Sequence, residues 1–342
     1  MKIFKRLRAL KNKISPISHG KWDTLKIMLD YAYCKMRFHI TLEEYMAYSY
    51  YNLKNRYRKN FLTNYQRKHY NRNISQGFFT SYKYVFYKRV PDLFSRGITL
   101  VPYCGEDEFV EFLKKYKKVV LKPDRGSWGV GIECFEYTNE ASARERFKSF
   151  SKEMPMICEE YIRQHHSLEE LSPFSVNTLR IVTILNGDNV EILSTVLKTG
   201  GDATKVVDNM RSGGIGAQVD IETGIVTTFG RDFQNIDYAY HPVTGVQFIG
   251  YNVPNWDKVK KLVIDAHRRV PQCLIYGWDI AVTEDGADIV EANNAPGPML
   301  MQAIDAIPRG EKIIKMMKTI KIEQEYSKKN RFVPDYTVYF KD

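Results

Sequence analysis

The stretch Tyr276-Gly277-Trp278-Asp279-Ile280-Ala281-Val282-Thr283-Glu284-Asp285-Gly286-Ala287-Asp288-Ile289-Val290-Glu291-Ala292-Asn293-Asn294-Ala295-Pro296-Gly297 reads as two β-strands around one tight turn. Glu284-Asp285-Gly286 suits a three-residue loop with Gly286 in the left-handed region, which pairs Thr283 with Ala287. Counting back from that pair sets Asp279 opposite Glu291. Side chains alternate faces along a strand, so Asp279, Glu291 and Asn293 then share one side of the ribbon, as oxygen ligands for a hard divalent cation must. A two-residue turn shifts the register by one and moves Asp279 to the other face. Acidic residues on a strand often mark only a solvated face. Here Ile280, Val282, Ile289 and Val290 make the hairpin largely apolar, and a buried carboxylate requires a compensating cation.

Upstream lies a second chemical signal. Val119-Val120-Leu121-Lys122-Pro123 is a buried strand that runs into Asp124-Arg125-Gly126-Ser127-Trp128-Gly129-Val130-Gly131. Glycines let backbone N–H groups approach an anion closely, so phosphate binding is one reading and a plain hairpin tip the other. The β-prone Ile132-Glu133-Cys134-Phe135-Glu136-Tyr137 follows the loop, where the Walker loop and the dinucleotide fingerprint both need a helix. A glycine loop between antiparallel strands is a flap that can close over a nucleotide triphosphate.

Around these motifs, turn chemistry points to antiparallel pairing. Leu179 to Leu185 joins Val190 to Leu197 through Asn186-Gly187, and Ala217 to Ile221 joins Ile225 to Phe229 through Glu222-Thr223-Gly224. Helical patterns cover Glu106 to Tyr116, Glu140 to Ser151, Trp256 to Val270 and Glu311 to Gln324. Residues 1–72 read as helices: a first one with Ile3, Phe4, Leu7 and Leu10 on one face, broken near Pro16, then Trp22 to Phe38 and Leu42 to Asn60.

Charge separates the same regions. Residues 1–72 hold 17 Lys or Arg against four Asp or Glu, 17 − 4 = +13, so the rest of the +11 chain sums to −2. A cationic segment of this kind either lies on anionic lipid or packs on the core and presents solvated lysines. Tyr48, Tyr50, Tyr51, Tyr57 and Tyr65 could stack on bases, but no RNA-binding motif accompanies them, which argues against nucleic acid. The five cysteines are scattered without CxxC or metal-ligand spacing, and no apolar stretch is long enough to span a membrane. Together these lead to the expectation of a cytoplasmic protein, at most peripheral to the inner face of the plasma membrane.

In this order the motifs resemble the ATP-grasp superfamily, and Asn177-Thr178-Leu179-Arg180-Ile181-Val182-Thr183 looks most like its sugar-transfer associated members from bacterial envelope glycan loci. The resemblance implies an α+β fold, two lobes whose antiparallel sheets clasp ATP, over 73–324, between the basic helical segment 1–72 and a tail 325–342. It implies Lys83 and Lys122 as phosphate-binding lysines and Gly126, Ser127, Gly129 and Gly131 as the loop covering the triphosphate. Glu159, Glu160, Tyr161 and Ile162, within Met156-Ile157-Cys158-Glu159-Glu160-Tyr161-Ile162, take the place of the linker that receives adenine. The acidic residue that usually follows for the ribose is replaced by Gln164-His165-His166-Ser167, so the ribose contact has no assignment and the two histidines read as surface residues. Arg180 matches the arginine beside the transferring phosphoryl group, and Asp279, Glu291 and Asn293 match the metal ligands for Mg2+, with Mn2+ as a substitute. Arg211, in Asp208-Asn209-Met210-Arg211-Ser212-Gly213-Gly214, falls where a substrate carboxylate is bound, although a plain glycine-rich turn fits equally.

The implied activity is ATP-dependent joining of a carboxylate to an amine or thiol through an acyl phosphate, modifying a sugar or amino acid in cell-envelope glycan biosynthesis, with small-molecule substrates that the family context suggests are sugar-linked. Two readings compete: a small-molecule kinase built on the same ATP site, and a membrane or nucleic-acid docking protein with a degenerate nucleotide domain. Intact Lys122, Arg180, Asp279, Glu291 and Asn293 oppose the second.

Overall fold

A computed structural model of the protein describes residues 2–67, 78–126, 130–202, 208, 210–319 and 334–340. The chain divides into two compact units, Met1–Asn73 with Gly297–Ile320, and Ile74–Pro296 with Lys321–Asp342. The sequence reading drew one boundary near residue 73 and carried the following region on to 324. The division instead returns Gly297–Ile320 to the first unit.

The first unit is helical: α1 (Lys2–Ile14), α2 (Lys21–Phe38), α3 (Leu42–Ala47), α4 (Asn55–Arg58) and, from the later segment, Gly310–Thr319. Pro16 sits in a single 3-10 turn, Ser15–Ile17, that separates α1 from α2. The expected helix from Leu42 to Asn60 is broken instead, because Ser49 takes φ 51° and starts a new turn at Tyr50–Asn52. α3 is well capped: Thr41 accepts from the Glu44 N–H at 3.2 Å while Glu44 accepts from the Thr41 N–H at 2.9 Å.

Ile14, Ile27, Tyr31, Cys34, Tyr45, Tyr48, Tyr50 and Phe61 form this unit's core, with Met299 and Ala303 packed against it. Tyr48 and Tyr50 are therefore core residues, each donating its hydroxyl to a backbone carbonyl, Leu62 at 3.1 Å and Arg58 at 2.7 Å. Stacking on bases is closed to both. Arg58 forks onto Asp30 with two 2.8 Å bonds and supplies the buried charge with its partner.

The second unit is built on two antiparallel sheets. The smaller has the order β1 (Ile98–Val101), β4 (Met156–Glu160), β2 (Lys118–Pro123), β3 (Glu133–Glu136), flanked by α6 (Glu106–Tyr116) and α7 (Glu140–Lys148). The glycine loop does lie between two antiparallel strands, β2 and β3. The larger sheet runs β11 (Gly286–Asn293), β10 (Ile275–Thr283), β5 (Thr178–Asn186), β6 (Asn189–Thr199), β7 (Ile215–Gln218), β8 (Gly230–Arg231), β9 (Asp237–Tyr238). Helix α9 (Trp256–Arg269) packs its Trp256, Val259, Val263 and Ala266 into the core beneath this sheet. The two shorter helices α5 (Lys83–Arg89) and α8 (His166–Leu171) complete the unit, and both anticipated hairpins are present.

One expectation about the decisive hairpin fails. Thr283 pairs with Gly286, not Ala287, so the loop is the two residues Glu284-Asp285, and Gly286 does not adopt positive φ. That register puts Ile280 opposite Ile289. A β-bulge then intervenes: Val290 drops out of the pairing and Asp279 stands opposite Glu291, followed by Trp278 with Ala292 and Gly277 with Asn293. The predicted cross-strand pair is thus present, held by a bulge and not by the turn.

Candidate active site

Asp279 on β10 and Arg180 on β5 are register partners, so their side chains leave the sheet on the same face. Arg180 donates Nε to Oδ1 at 3.0 Å and Nη2 to Oδ2 at 2.7 Å of Asp279, a planar fork on a planar carboxylate. Lys198, near the end of β6, brings its Nζ to 2.9 Å from the same Asp279 and 3.4 Å from Asp208. Asp208 also accepts from the Thr178 backbone N–H at 3.1 Å and from the Thr178 hydroxyl. Burial works to raise the Asp279 carboxyl, but Arg180 and Lys198 outweigh it and hold the group well below the usual carboxylate range.

Glu291 has a different environment. Burial and the charge of Asp279 push its carboxyl upward, against the pull of Lys83, Lys122 and Arg180. Its nearest cation is Lys83, 3.9 Å away. Asn293 turns its amide nitrogen to Asp279 Oδ2 at 3.2 Å, and rotation about its last torsion presents the amide oxygen instead. The three residues read as ligands therefore do share one face. Two carboxylates and an amide gathered on one face are hard oxygen donors, so these residues fit Mg2+.

The smaller sheet supplies Lys122, and helix α5 supplies Lys83. Lys122 ends β2 and is buried, with Nζ 2.7 Å from Glu159 and 3.4 Å from the carbonyl of Val290, the bulged residue. Lys83 opens α5 and points its Nζ at the carbonyls of Pro123 (3.3 Å) and Gly126 (3.2 Å), with burial lowering its pKa. Lys83, Lys122, Glu159 and Glu291 line one cleft together with Phe86 and Ile157. Gly131, at φ 78°, turns the chain back into β3. Ser127 and Gly129 lie outside the described residues, as does the side chain of Arg211.

Within the expected adenine linker the residues diverge. Glu159 is a buried counter-ion whose oxygens are taken by Lys122 and by Arg96, at 2.9 and 3.2 Å from the guanidinium. Arg96 bridges onward to Asp288 at 2.6 Å and to the Ile289 carbonyl at 2.9 Å, tying β4 to the decisive hairpin. Glu160 accepts from the Gly97 N–H at 3.2 Å, Tyr161 lies beneath the Lys118 ammonium at 4.3 Å, and Ile162 is half-buried. His165 and His166 meet the hairpin loop: His166 donates its N–H to Glu284 at 2.7 Å, and His165 donates its own to the Val282 carbonyl at 2.7 Å. That Glu284 oxygen is thereby committed to the start of α8.

Sequence reasoning missed Lys198, Asp208, Arg96 and Asp288. Lys198 left a trace as a lysine at the end of the otherwise apolar run Val196-Leu197-Lys198, and Asp208 opens the segment that carries Arg211. Arg96 sits in a loop before β1 and Asp288 within β11, and their partners are more than 60 residues away in the chain, so no local pattern marks the pair.

Two sheets and helix α5 thus gather Lys83, Lys122, Arg180 and Lys198 around Asp279 and Glu291. The chain belongs to the sugar-transfer associated ATP-grasp family, whose sequence model matches residues 88–321. No curated protein matches the sequence. Among solved structures it is similar to D-alanine–D-alanine ligase from Bacillus anthracis (15% identity, TM-score 0.40, covering 69% of this chain and 62% of that one). It is also similar to the ATP-grasp ligase PsnB complexed with minimal precursor, Mg and ADP (14%, TM-score 0.42, 73% and 61%). A third is phosphoribosylamine–glycine ligase from Thermotoga maritima (12%, TM-score 0.47, 73% and 58%). The chain thus spans about three-fifths of the length of each of these. Among the described residues no helix is long and apolar enough to cross a membrane.

Proposed function

We propose that the protein is an ATP- and Mg2+-dependent ligase that activates a carboxylate as an acyl phosphate and joins it to an amine or thiol in cell-envelope glycan assembly. One observation carries this reading: Lys83, Lys122, Arg180 and Lys198 converge on the face that presents Asp279, Glu291 and Asn293. Phosphoryl transfer needs charge neutralisation and alignment more than a protein nucleophile. A carboxylate oxygen bonds to the γ-phosphorus as its bond to the β–γ bridging oxygen breaks and ADP departs. The amine or thiol then displaces phosphate and releases a proton.

In this scheme Lys83 and Lys122 neutralise the triphosphate beneath the glycine loop, and Arg180 and Lys198 face the transferring group while fixing Asp279. Asp279, Glu291 and Asn293 would hold Mg2+ or Mn2+, which when bound offsets the charge of the β- and γ-phosphates. The test is ADP release from the full chain, screened over uronic and amino acids paired with amines, with the product read by mass spectrometry. A new amide or thioester formed with stoichiometric ADP and phosphate supports the ligase. A stable phosphoester in its place overturns it in favour of a kinase.

A further inference from the structure

Helix α2 is apolar on two opposite faces. Thr24, Ile27, Tyr31 and Cys34 are buried in the first unit's core, yet Trp22, Leu25, Leu29, Tyr33 and Met36 face solvent. Their intervals of three, four, four and three residues trace one stripe along the helix, opposite the packed side. Trp22 is 85% exposed, Met36 74% and Leu29 64%. Single exposed apolar residues are ordinary on a protein surface; a continuous stripe four turns long headed by a tryptophan is not.

The helical period also places the charges. Lys26 and Arg37 run along one edge of the stripe and Lys21 and Lys35 along the other, all four exposed. Two acidic residues lie further round on the Lys26 side: Asp30 is paired with Arg58, and Asp23 accepts the His19 N–H at 2.9 Å. An apolar strip between two cationic borders is the arrangement of a helix that lies in a lipid interface, with its apolar side chains among the acyl chains and its lysines reaching back to the headgroups. Helix α1 repeats the theme with exposed Phe4 and Leu7 among Lys5, Arg6, Arg8 and Lys11.

We propose that the outer stripe of α2, Trp22-Leu25-Leu29-Tyr33-Met36, docks the protein in plane on an anionic lipid bilayer. Overall composition favours lipid over a second copy as the occupant, because two copies bring together segments of +13 each, whereas anionic headgroups neutralise that charge. The inference does not rest on the ligase reading, since vesicle binding requires neither ATP nor turnover.

The experiment is co-sedimentation of the full chain with phosphatidylglycerol–phosphatidylcholine vesicles and with phosphatidylcholine alone. Two variants are run beside it, Leu25→Gln/Leu29→Gln/Met36→Gln and Lys26→Glu/Arg37→Glu, with circular dichroism confirming an unchanged fold. The wild type is expected to bind the anionic vesicles. The apolar variant should lose at least about tenfold in partitioning, and the charge variant should lose the preference for anionic lipid. Absence of wild-type binding, or unchanged binding by the apolar variant, would overturn the proposal. So would a self-association in sedimentation equilibrium that the apolar variant abolishes, which assigns the stripe to a second copy.

Discussion

Lys122 donates its ammonium to the carbonyl of Val290, the one residue of β11 between its ends that drops out of the pairing with β10. The bulge therefore does two things at once: it sets Glu291 opposite Asp279, and it frees a backbone acceptor for a lysine that arrives from the other sheet. The cations and the carboxylates of the site are coupled through this one irregularity.

Deleting Val290 removes the bulge while leaving Asp279 opposite Glu291, because the shortened strand closes into regular pairing. The hairpin should survive, with a loss in thermal stability, while Lys122 loses its acceptor. ATP affinity measured by calorimetry is expected to fall several-fold with the fold retained. Unaltered affinity would mean that the Lys122 contact has no bearing on nucleotide binding.

Replacing Asp279 and Glu291 should move stability in opposite directions. Asp279→Asn leaves Arg180 and Lys198 buried without their anion and is expected to cost about 3–5 kcal/mol in urea denaturation. Glu291 has a folded pKa above its unfolded value, so its relative contribution is full below the unfolded pKa and lost as pH rises through the folded one. Above the folded pKa, Glu291→Gln should raise the melting temperature without ligand and abolish turnover, the exchange of stability for activity expected if this carboxylate holds the metal.

Lys198→Met tests a residue that has no counterpart in the motif reading. Arg180 still forks onto Asp279 in the variant, so the protein should remain folded. Turnover is expected to drop by about 10²-fold or more, with a smaller change in KM for ATP, if the ammonium stabilises charge that develops during transfer. A rise in KM with turnover unchanged would reassign Lys198 to ground-state binding.

Acid sensitivity should arise on the back of the large sheet. His267 donates Nε2–H to the Cys273 carbonyl at 3.0 Å and faces the Thr183 hydroxyl at 2.7 Å, and Trp278 Nε1–H donates to that hydroxyl at 2.7 Å. Burial pushes this imidazole down to about 4. A histidine depressed in the fold contributes stability above its unfolded pKa near 6.5 and loses it as pH falls toward 4. The urea midpoint should decline across that window, and His267→Gln should flatten the decline.

The sequence carried the chemistry of the site better than its geometry. The strand positions of Lys122, Arg180 and Asp279 are visible because a charged residue closing or interrupting an apolar run is a local signal. Leu42 to Asn60 was misjudged as one helix because the left-handed residue at Ser49 is set by tertiary packing of Tyr45, Tyr48 and Tyr50. The stripe on α2 escaped notice because a helix apolar on both sides shows no single periodic face. The turn at Glu284-Asp285 was assigned one residue too many, and the pairing inferred from it was nonetheless the one observed.

That coincidence is a matter of parity. Between Asp279 and Glu291 lie 291 − 279 − 1 = 11 residues, and a hairpin can absorb an odd number either as a three-residue loop or as a two-residue loop with one residue set aside elsewhere. Loop length and bulge are thus interchangeable currency for the same alignment. Deletion of Val290 combined with a one-residue insertion in the Glu284-Asp285 loop should therefore keep the carboxylates facing, now around a three-residue loop without a bulge. Homologues can accordingly differ by compensating single-residue gaps on this ribbon and keep one site.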